Sequence, residues 1–233
     1  TNSITVTVTD DEDPAISGMP ANITQTADAG MCSAEVTWTA PSASDNCNVA
    51  SFTSTHDSGD AFAVGTTTVT YTALDDAGNS TSASFTVTVT DDEAPSISGT
   101  PADITLASDA GNCSAAVFFT APNATDNCAI ATFASSHDSG DTFPVGSTTV
   151  TFTATDIHSN TTTATFTVTV IDNEQPTISG MPANITQTAD AGECEADVTW
   201  TAPTAADNCG IATFSADANS GDAFPVGTTT VTY

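Results

Sequence analysis

Hydrophobic and polar residues alternate with a period of two in the best-patterned stretches of the chain. Val69, Tyr71 and Ala73 are interleaved with Thr68, Thr70 and Thr72, and Phe85, Val87 and Val89 with Thr86, Thr88 and Thr90. A strand points successive side chains to opposite faces, so each stretch predicts a strand with one buried and one wet face. Ile16, Ile23, Val36, Trp38, Phe52, Phe62 and Val64 are the other candidates for the same core. No stretch sustains a 3.6-residue period, and Gly, Pro, Asp and Asn interrupt the pattern at short intervals, as an all-β sandwich requires.

The pattern recurs every 81 residues: the strand and acidic junction at Ile4 to Pro14 reappear at Phe85 to Pro95 and Phe166 to Pro176. The expected fold class is therefore all-β, tandem β-sandwiches in an 81-residue repeat. Residues 11–91, 92–172 and 173–233 form the three sandwiches, and residues 1–10 are the last strand of a preceding or neighbouring one. Trp38, Phe119 and Trp200 hold one register, as do Phe52, Phe133 and Phe214, which reads as core packing rather than a ligand-stacking platform.

The chain has no Lys or Arg against 29 Asp and Glu, a formal charge of -29. Nucleic acid and anionic membrane surfaces are bound chiefly through Lys and Arg, so neither is an expected partner. Cations are, since so acidic a chain repels itself until salt or metal neutralises it. No apolar run is long enough to span a bilayer. The chain starts at Thr1 without a methionine, which reads as processing or as an excerpt of a longer protein.

The six cysteines form Cys32/Cys47, Cys113/Cys128 and Cys194/Cys209, each pair fifteen residues apart. The regularity predicts three local disulfides, one per sandwich, worth about 3 kcal/mol each in the chain-entropy account, and an oxidising extracellular compartment. His56 and His137 share a register that Ala218 breaks, and His158 matches Ala77, so all three histidines read as surface residues. Asn22, Asn79, Asn112, Asn123, Asn160 and Asn184 each open an Asn-x-Ser/Thr acceptor sequence for glycans. No nucleophile with a base and no open metal site is held in register, so no enzyme is expected.

Asp45-Asn46, the run Gly65 to Ala73, Asp75 to Asn79 and the strand Phe85 to Val89 resemble the hyalin repeat, or HYR module. That resemblance implies an extracellular immunoglobulin-like or fibronectin-III-like sandwich, so that the fold expected is tandem immunoglobulin-like β-sandwiches, with a role in adhesion and no catalytic residues. The Cys-Pro that the family often carries after its first strand reads Met19-Pro20 here, and its second Cys reads Ala83-Ser84. The junctions are also similar to the acidic linkers of cadherins, which implies calcium between sandwiches. The linker, the loop after the second strand and the last hairpin turn would meet at one pole. The implied oxygen ligands are Asp10, Asp11, Glu12, Asp45, Asn46, Asp75 and Asn79 in the first sandwich. In the second they are Asp91, Asp92, Glu93, Asp126, Asn127, Asp156 and Asn160, and in the third Asp172, Glu174, Asp207 and Asn208. Asx turns at Asp45, Asp126 and Asp207 are a second reading of the same residues.

By phase, Tyr233 matches Tyr71, so the third sandwich lacks its last strand while residues 4–9 form one without a sandwich. Two readings stay open. Residues 4–9 of one subunit complete the third sandwich of the next, building a filament by strand donation, or the chain is a window on a giant covalent array. The expected function is structural, a filament or surface stalk partnered with itself. The alternative is a carbohydrate- or protein-binding adhesin module, for which 11 Phe, 2 Trp and 2 Tyr leave few exposed aromatics.

Overall fold

In the computed structural model, which describes residues 2–233, every regular element is a strand, and no helix is long and apolar enough to cross a membrane. The first repeat contains β1 (Ala15–Ser17), β2 (Ile23–Thr26), β3 (Ser33–Glu35), β4 (Ser42–Ser44), β5 (Val49–Ser54), β6 (Ala61–Ala63), β7 (Gly65–Asp75) and β8 (Ser80–Thr90). Its main sheet has the order β2-β8-β7-β5, and the pairs β1-β4 and β3-β6 complete the sandwich. β7 and β8 form a long antiparallel hairpin with Val69 opposite Phe85, and β2 joins β8 in parallel with Ile23 opposite Val87.

The period-two pattern decides which face is buried. Val69, Tyr71, Phe85, Val87 and Val89 point inward and are almost wholly buried with Ala34, Val36 and Phe62. Ile16, Ile23, Trp38, Phe52 and Val64 pack against this cluster half-buried. The outward face is a sheet of hydroxyls, with Thr66 Oγ1 3.1 Å from Thr88 Oγ1. The Trp38 indole packs edge-on to Phe85, with centroids 5.2 Å apart, and its Nε1–H donates to the Tyr71 hydroxyl at 2.8 Å. That bond satisfies the one polar atom of the ring, so Trp38 belongs to the core, whereas Phe133 and Phe214, of the second aromatic register, are 37% and 40% exposed.

The second repeat repeats the plan with β9 (Ser96–Ser98), β10 (Ile104–Ala107), β11 (Ser114–Ala116), β12 (Asn123–Thr125), β13 (Ile130–Ser135), β14 (Thr142–Pro144), β15 (Gly146–Asp156) and β16 (Thr161–Ile171). Its main sheet has the order β10-β16-β15-β13. By packing, the chain divides into two compact units that cut through this repeat. One is Thr1–Ser98 with Asn123–Ala134 and Phe152–Ala164, and the other is Gly99–Pro122 with Ser135–Thr151 and Thr165–Tyr233. Each unit contains one whole junction between consecutive repeats.

The third repeat keeps only β17 (Thr177–Ser179), β18 (Glu195–Asp197), β19 (Thr204–Ala206) and β20 (Ala223–Pro225), paired as β17-β19 and β18-β20. No main sheet forms there among the described residues. Val87 and Val89 on β8, and Val168 and Val170 on β16, supply the centre of the first two cores. Without a strand of that phase, Ile178, Met181, Ile185 and Val226 are left 44–76% exposed. The expected closing strand of a preceding or neighbouring sandwich is the stretch 4–9, which has no such sandwich beside it in this chain. It adopts no regular structure, and Ile4, Val6 and Val8 are 90%, 76% and 90% exposed because no sheet edge lies beside them. The assignment of residues 1–10 to that strand begins at Thr1, outside the described residues.

Candidate inter-repeat cation and disulfide site

The junction between the first two repeats is assembled from three chain segments. After β8 the chain leaves the first sandwich as Asp91-Asp92-Glu93. The loop between β12 and β13 brings up Asp126, Asn127 and Cys128, and the turn between β15 and β16 brings up Asp156 to Asn160. Asp126 Oδ1 accepts the Cys128 N–H at 3.0 Å, an Asx turn that leaves its Oδ2 free to face the linker. Asp156 Oδ1 accepts the N–H groups of His158 and Asn160, each at 2.8 Å, and its Oδ2 accepts Asn160 Nδ2–H at 2.8 Å. The same amide also donates to the carbonyl of Asp91 at 3.2 Å, tying the turn to the linker.

The result is a cluster. One carboxylate oxygen from each of Asp91, Asp126 and Asp156 lies within 4.8 Å of the others. The first repeat holds the same arrangement in Asp10, Asp45 and Asp75. Asp10 Oδ2, Asp45 Oδ1, Asp126 Oδ2 and the Asn127 Oδ1 are buried without a hydrogen-bond partner. Asp10 and Asp45 each bring such an oxygen to the first cluster and Asp126 brings one to the second, where His158 already faces Asp91. A buried, unpaired carboxylate oxygen is costly without a cation beside it, and an all-oxygen donor set is the kind that calcium takes.

Burial pushes the carboxyls of Asp75 and Asp156 up, but hydrogen bonds outweigh it and hold both below the ordinary carboxylate range. For Asp75 the donors are the Asn79 side chain and the backbone of Asn79, Gly78 and Ala77. For Asp156 they are the Asn160 side chain and the backbone of Asn160 and His158, helped by the charge of His158. The Cys47 thiol is pushed up, first by its hydrogen bond to Asp10, then by burial and by the charges of Asp10, Asp45 and Asp75.

Other expected ligands go elsewhere. Asp11 and Asp92 point to solvent, outside both clusters. Glu93 Oε2 accepts the Gly30 N–H at 2.9 Å, and Glu174 Oε1 accepts the Gly111 N–H at 2.7 Å. These glutamates therefore hold a turn of the preceding repeat. Glu12 has no such turn to hold and accepts from Asn46 Nδ2 at 3.2 Å. Asn79 and Asn160 spend their amides on Asp75, Asp156 and the linker carbonyls, so neither is a glycan acceptor while those bonds persist. At the second junction Asp172 and Asp207 are half-buried, but no third carboxylate joins them among the described residues, because the phase of Asp75 and Asp156 lies beyond Tyr233.

His158 is not an idle surface residue: its Nδ1 lies 3.0 Å from Asp91 Oδ2. Nothing in the periodicity marks it, since Ala77 fills the same phase in the first repeat. His56 and His137 lean on core phenylalanines, with centroids 5.1 Å from Phe62 and Phe143 respectively.

The disulfide connectivity overturns the local pairing. Cys32 is bonded to Cys128 and Cys113 to Cys209, each across 96 residues, with Cα atoms 4.7 and 4.6 Å apart. Cys47 and Cys194 are exposed thiols, so none of Cys32/Cys47, Cys113/Cys128 and Cys194/Cys209 forms. Geometry decides this. The Asp28-to-Ser33 turn, with Gly30 at a φ of 72°, carries Cys32 to the pole facing the next repeat, where the Asx turn at Asp126 presents Cys128. Asn127 Nδ2 donates to the Met31 carbonyl at 3.0 Å beside the first bond, and Asn208 Nδ2 to the Asn112 carbonyl at 2.8 Å beside the second.

The sequence pattern of the HYR domain family matches residues 9–89, 90–170 and 171–233. Hyalin from Strongylocentrotus purpuratus is 39% identical over 238 aligned residues, covering 99% of this chain and 20% of that protein. Hyalin from Lytechinus variegatus is 40% identical over 239, covering 99% of this chain and 45% of that protein. The chain thus spans less than half the length of either relative. Among solved structures, the extracellular cadherin domains 1–4 of protocadherin gamma B7 align with a TM-score of 0.32 at 14% identity, covering 76% of this chain and 56% of that one. At that score the likeness carries no further inference.

Proposed function

Because this chain belongs to the HYR domain family, we propose that it is an extracellular structural element, a tension-resisting array of sandwiches stiffened by calcium and joined to further copies of itself. The observation that carries this reading is the covalent bond between consecutive repeats, present at both junctions of the chain. A disulfide inside one sandwich would protect only that sandwich. One that crosses a junction passes force from repeat to repeat and belongs in an oxidising compartment.

Calcium is the partner the clusters favour. Asp10, Asp45 and Asp75 would hold one ion and Asp91, Asp126 and Asp156 another, each drawing linker, loop and hairpin turn together. The ion would supply positive charge where the chain, without Lys or Arg, has nothing to offer the first cluster and only the His158 imidazole to offer the second. Self-association is part of this proposal, and the groove of the third repeat lined by Met181, Ile185, Val198, Trp200, Phe224 and Val231 is its candidate surface. It lies where β8 and β16 close the other two cores. The exposed Ile4, Val6 and Val8 share the phase of Phe85, Val87 and Val89, so strand donation by residues 4–9 fits it. An adhesin within a longer covalent array is the second reading. Phe118, an aromatic 76% exposed outside the core register, favours it as a contact for a glycan or protein.

Calorimetric titration of the full chain with calcium chloride tests the central claim, alongside melting in calcium and in chelator. Binding should release heat, and calcium at 100 times its Kd should stabilise the chain by about 2.7 kcal/mol per site. The triple variant Asp91→Asn, Asp126→Asn, Asp156→Asn should lose one site. Absence of heat together with identical melting in chelator would refute the calcium reading.

A further inference from the structure

Five Asn-x-Ser/Thr acceptor sequences lie in the first two repeats, where the main sheets are complete, at Asn22, Asn79, Asn112, Asn123 and Asn160. The fold treats them differently. Asn79 Nδ2 donates to the Asp10 carbonyl and to Asp75 Oδ2, and Asn160 Nδ2 to the Asp91 carbonyl and to Asp156 Oδ2. An amide nitrogen that carries a sugar keeps one hydrogen, so a glycan there would break one bond of each pair inside a half-buried turn. Asn112 Nδ2 donates to the Ala110 carbonyl at 3.3 Å, and its acceptor sequence runs through Cys113, which is bonded to Cys209.

Asn22 and Asn123 keep a spare amide. Asn22 is exposed, and among the described residues only its Oδ1 is engaged, accepting the Thr86 N–H at 2.9 Å. In the second repeat Asp103 makes the same bond, its Oδ1 accepting the Thr167 N–H at 2.7 Å. The structural work of that position therefore needs an oxygen alone, and the Asn22 nitrogen has no part in it. Asn123 is exposed at the start of β12, opposite Ser98. The other two repeats join hydroxyls across this strand pair, Ser17 to Ser42 and Ser179 to Thr204, each at 3.1 Å. Asn123 makes no such bond among the described residues. The hydroxyl residues that complete the two acceptor sequences, Thr24 and Thr125, are exposed as well. Asn123 and Thr125 share one face of β12, since side chains two apart on a strand point the same way.

We infer that Asn22 and Asn123 carry N-linked glycans; this rests on the extracellular reading above, since the sugar donor belongs to the secretory route. The donor is an oligosaccharide held on a lipid pyrophosphate. The asparagine Nδ2 forms a bond to the anomeric carbon of the first sugar as the bond from that carbon to the pyrophosphate oxygen breaks. The lipid pyrophosphate leaves with the electron pair, and the amide gives up one proton. Both sites flank an open strand edge. β2 covers β8 only over residues 87–90, so Asn22 stands where the flank of β8 over residues 80–85 has no partner strand, and β12 is paired on one side only, by β9. A glycan at each site is a bulky hydrophilic cover against edge-to-edge pairing with another copy.

The test is site mapping of the full chain secreted by cultured animal cells. Peptide N-glycosidase in heavy-oxygen water marks each formerly glycosylated asparagine as a labelled aspartate. A protease that cuts after acidic residues then gives the peptides, since the chain has no Lys or Arg for trypsin. Asn22 and Asn123 should carry the label in most molecules, and Asn79 and Asn160 should lack it. Bare Asn22 and Asn123 beside an intact Cys32–Cys128 peptide in the same digest would overturn the glycan sites and leave the extracellular reading standing. Bare sites with Cys32 and Cys128 as thiols would overturn that reading and the inference with it. Label at Asn79 and Asn160 equal to that at Asn22 and Asn123 would show that the fold does not select among the acceptors. The double variant Thr24→Ala, Thr125→Ala keeps both asparagines and the Asn22 bond to Thr86. It should lose two glycans and self-associate, by sedimentation velocity, at concentrations where the glycosylated chain does not. Glycan loss without association would overturn the edge-covering role and leave the sites.

Discussion

Reduction should change the length to which this chain can be pulled far more than three local disulfides would allow. With Cys32–Cys128 and Cys113–Cys209 intact, the shortest covalent path from end to end enters at Cys32 and crosses to Cys128. It then runs backwards to Cys113, crosses to Cys209 and leaves for Tyr233. The remaining backbone hangs in slack loops and cannot bear load. The taut path contains roughly 70 residue steps, about 240 Å at ~3.4 Å per residue, whereas the reduced chain extends to about 790 Å. Three local bonds of the Cys32/Cys47 type would instead allow about 650 Å. Single-molecule stretching of the full chain between terminal handles, before and after a reductant, separates the three values. A reductant-free contour near 650 Å would refute the inter-repeat connectivity. A contour near the short value that did not lengthen on reduction would show that something other than the disulfides limits extension.

Two further outcomes follow from the hairpin turns. The carboxyls of Asp75 and Asp156 are depressed in the folded chain, so their contribution is complete above the unfolded value of about 3.9 and is lost as pH falls through their lower folded values. Melting in chelator from pH 7 to 2 should show Asp75→Asn, Asp156→Asn less stable than wild type at neutral pH, the gap closing only at the acid end. A constant gap would contradict the linkage. Ser159, at a φ of 76°, stands where the first repeat has Gly78 at 101°, and Ser159→Gly should relieve that left-handed strain by about 1 kcal/mol in denaturant unfolding. A destabilised variant would show that the serine earns its place through a contact.

Much was determined by the sequence alone, because strand burial is a local property. Alternation along Val69 to Ala73 and Phe85 to Val89 settles which atoms face inward, and an 81-residue recurrence carries that result to every repeat. The acidic character of the junctions was legible for the same reason, as was their division into linker, loop and turn. The cysteine pairing was not. A spacing of 15 and a spacing of 96 differ by one whole repeat, so a periodic sequence looks the same under either. Only the tertiary structure, by aiming the Gly30 turn at the neighbouring Asx turn, distinguishes them. The same limit hid the diversion of Glu93 and Glu174 to backbone amides and the approach of His158 to Asp91. Each depends on which loops meet at a pole, a matter of chain geometry over many residues rather than of pattern over a few. The third repeat shows the dependence from the other side: it has the apolar pattern of the first two, but a core closes only when a strand of the β8 phase is there to be packed against.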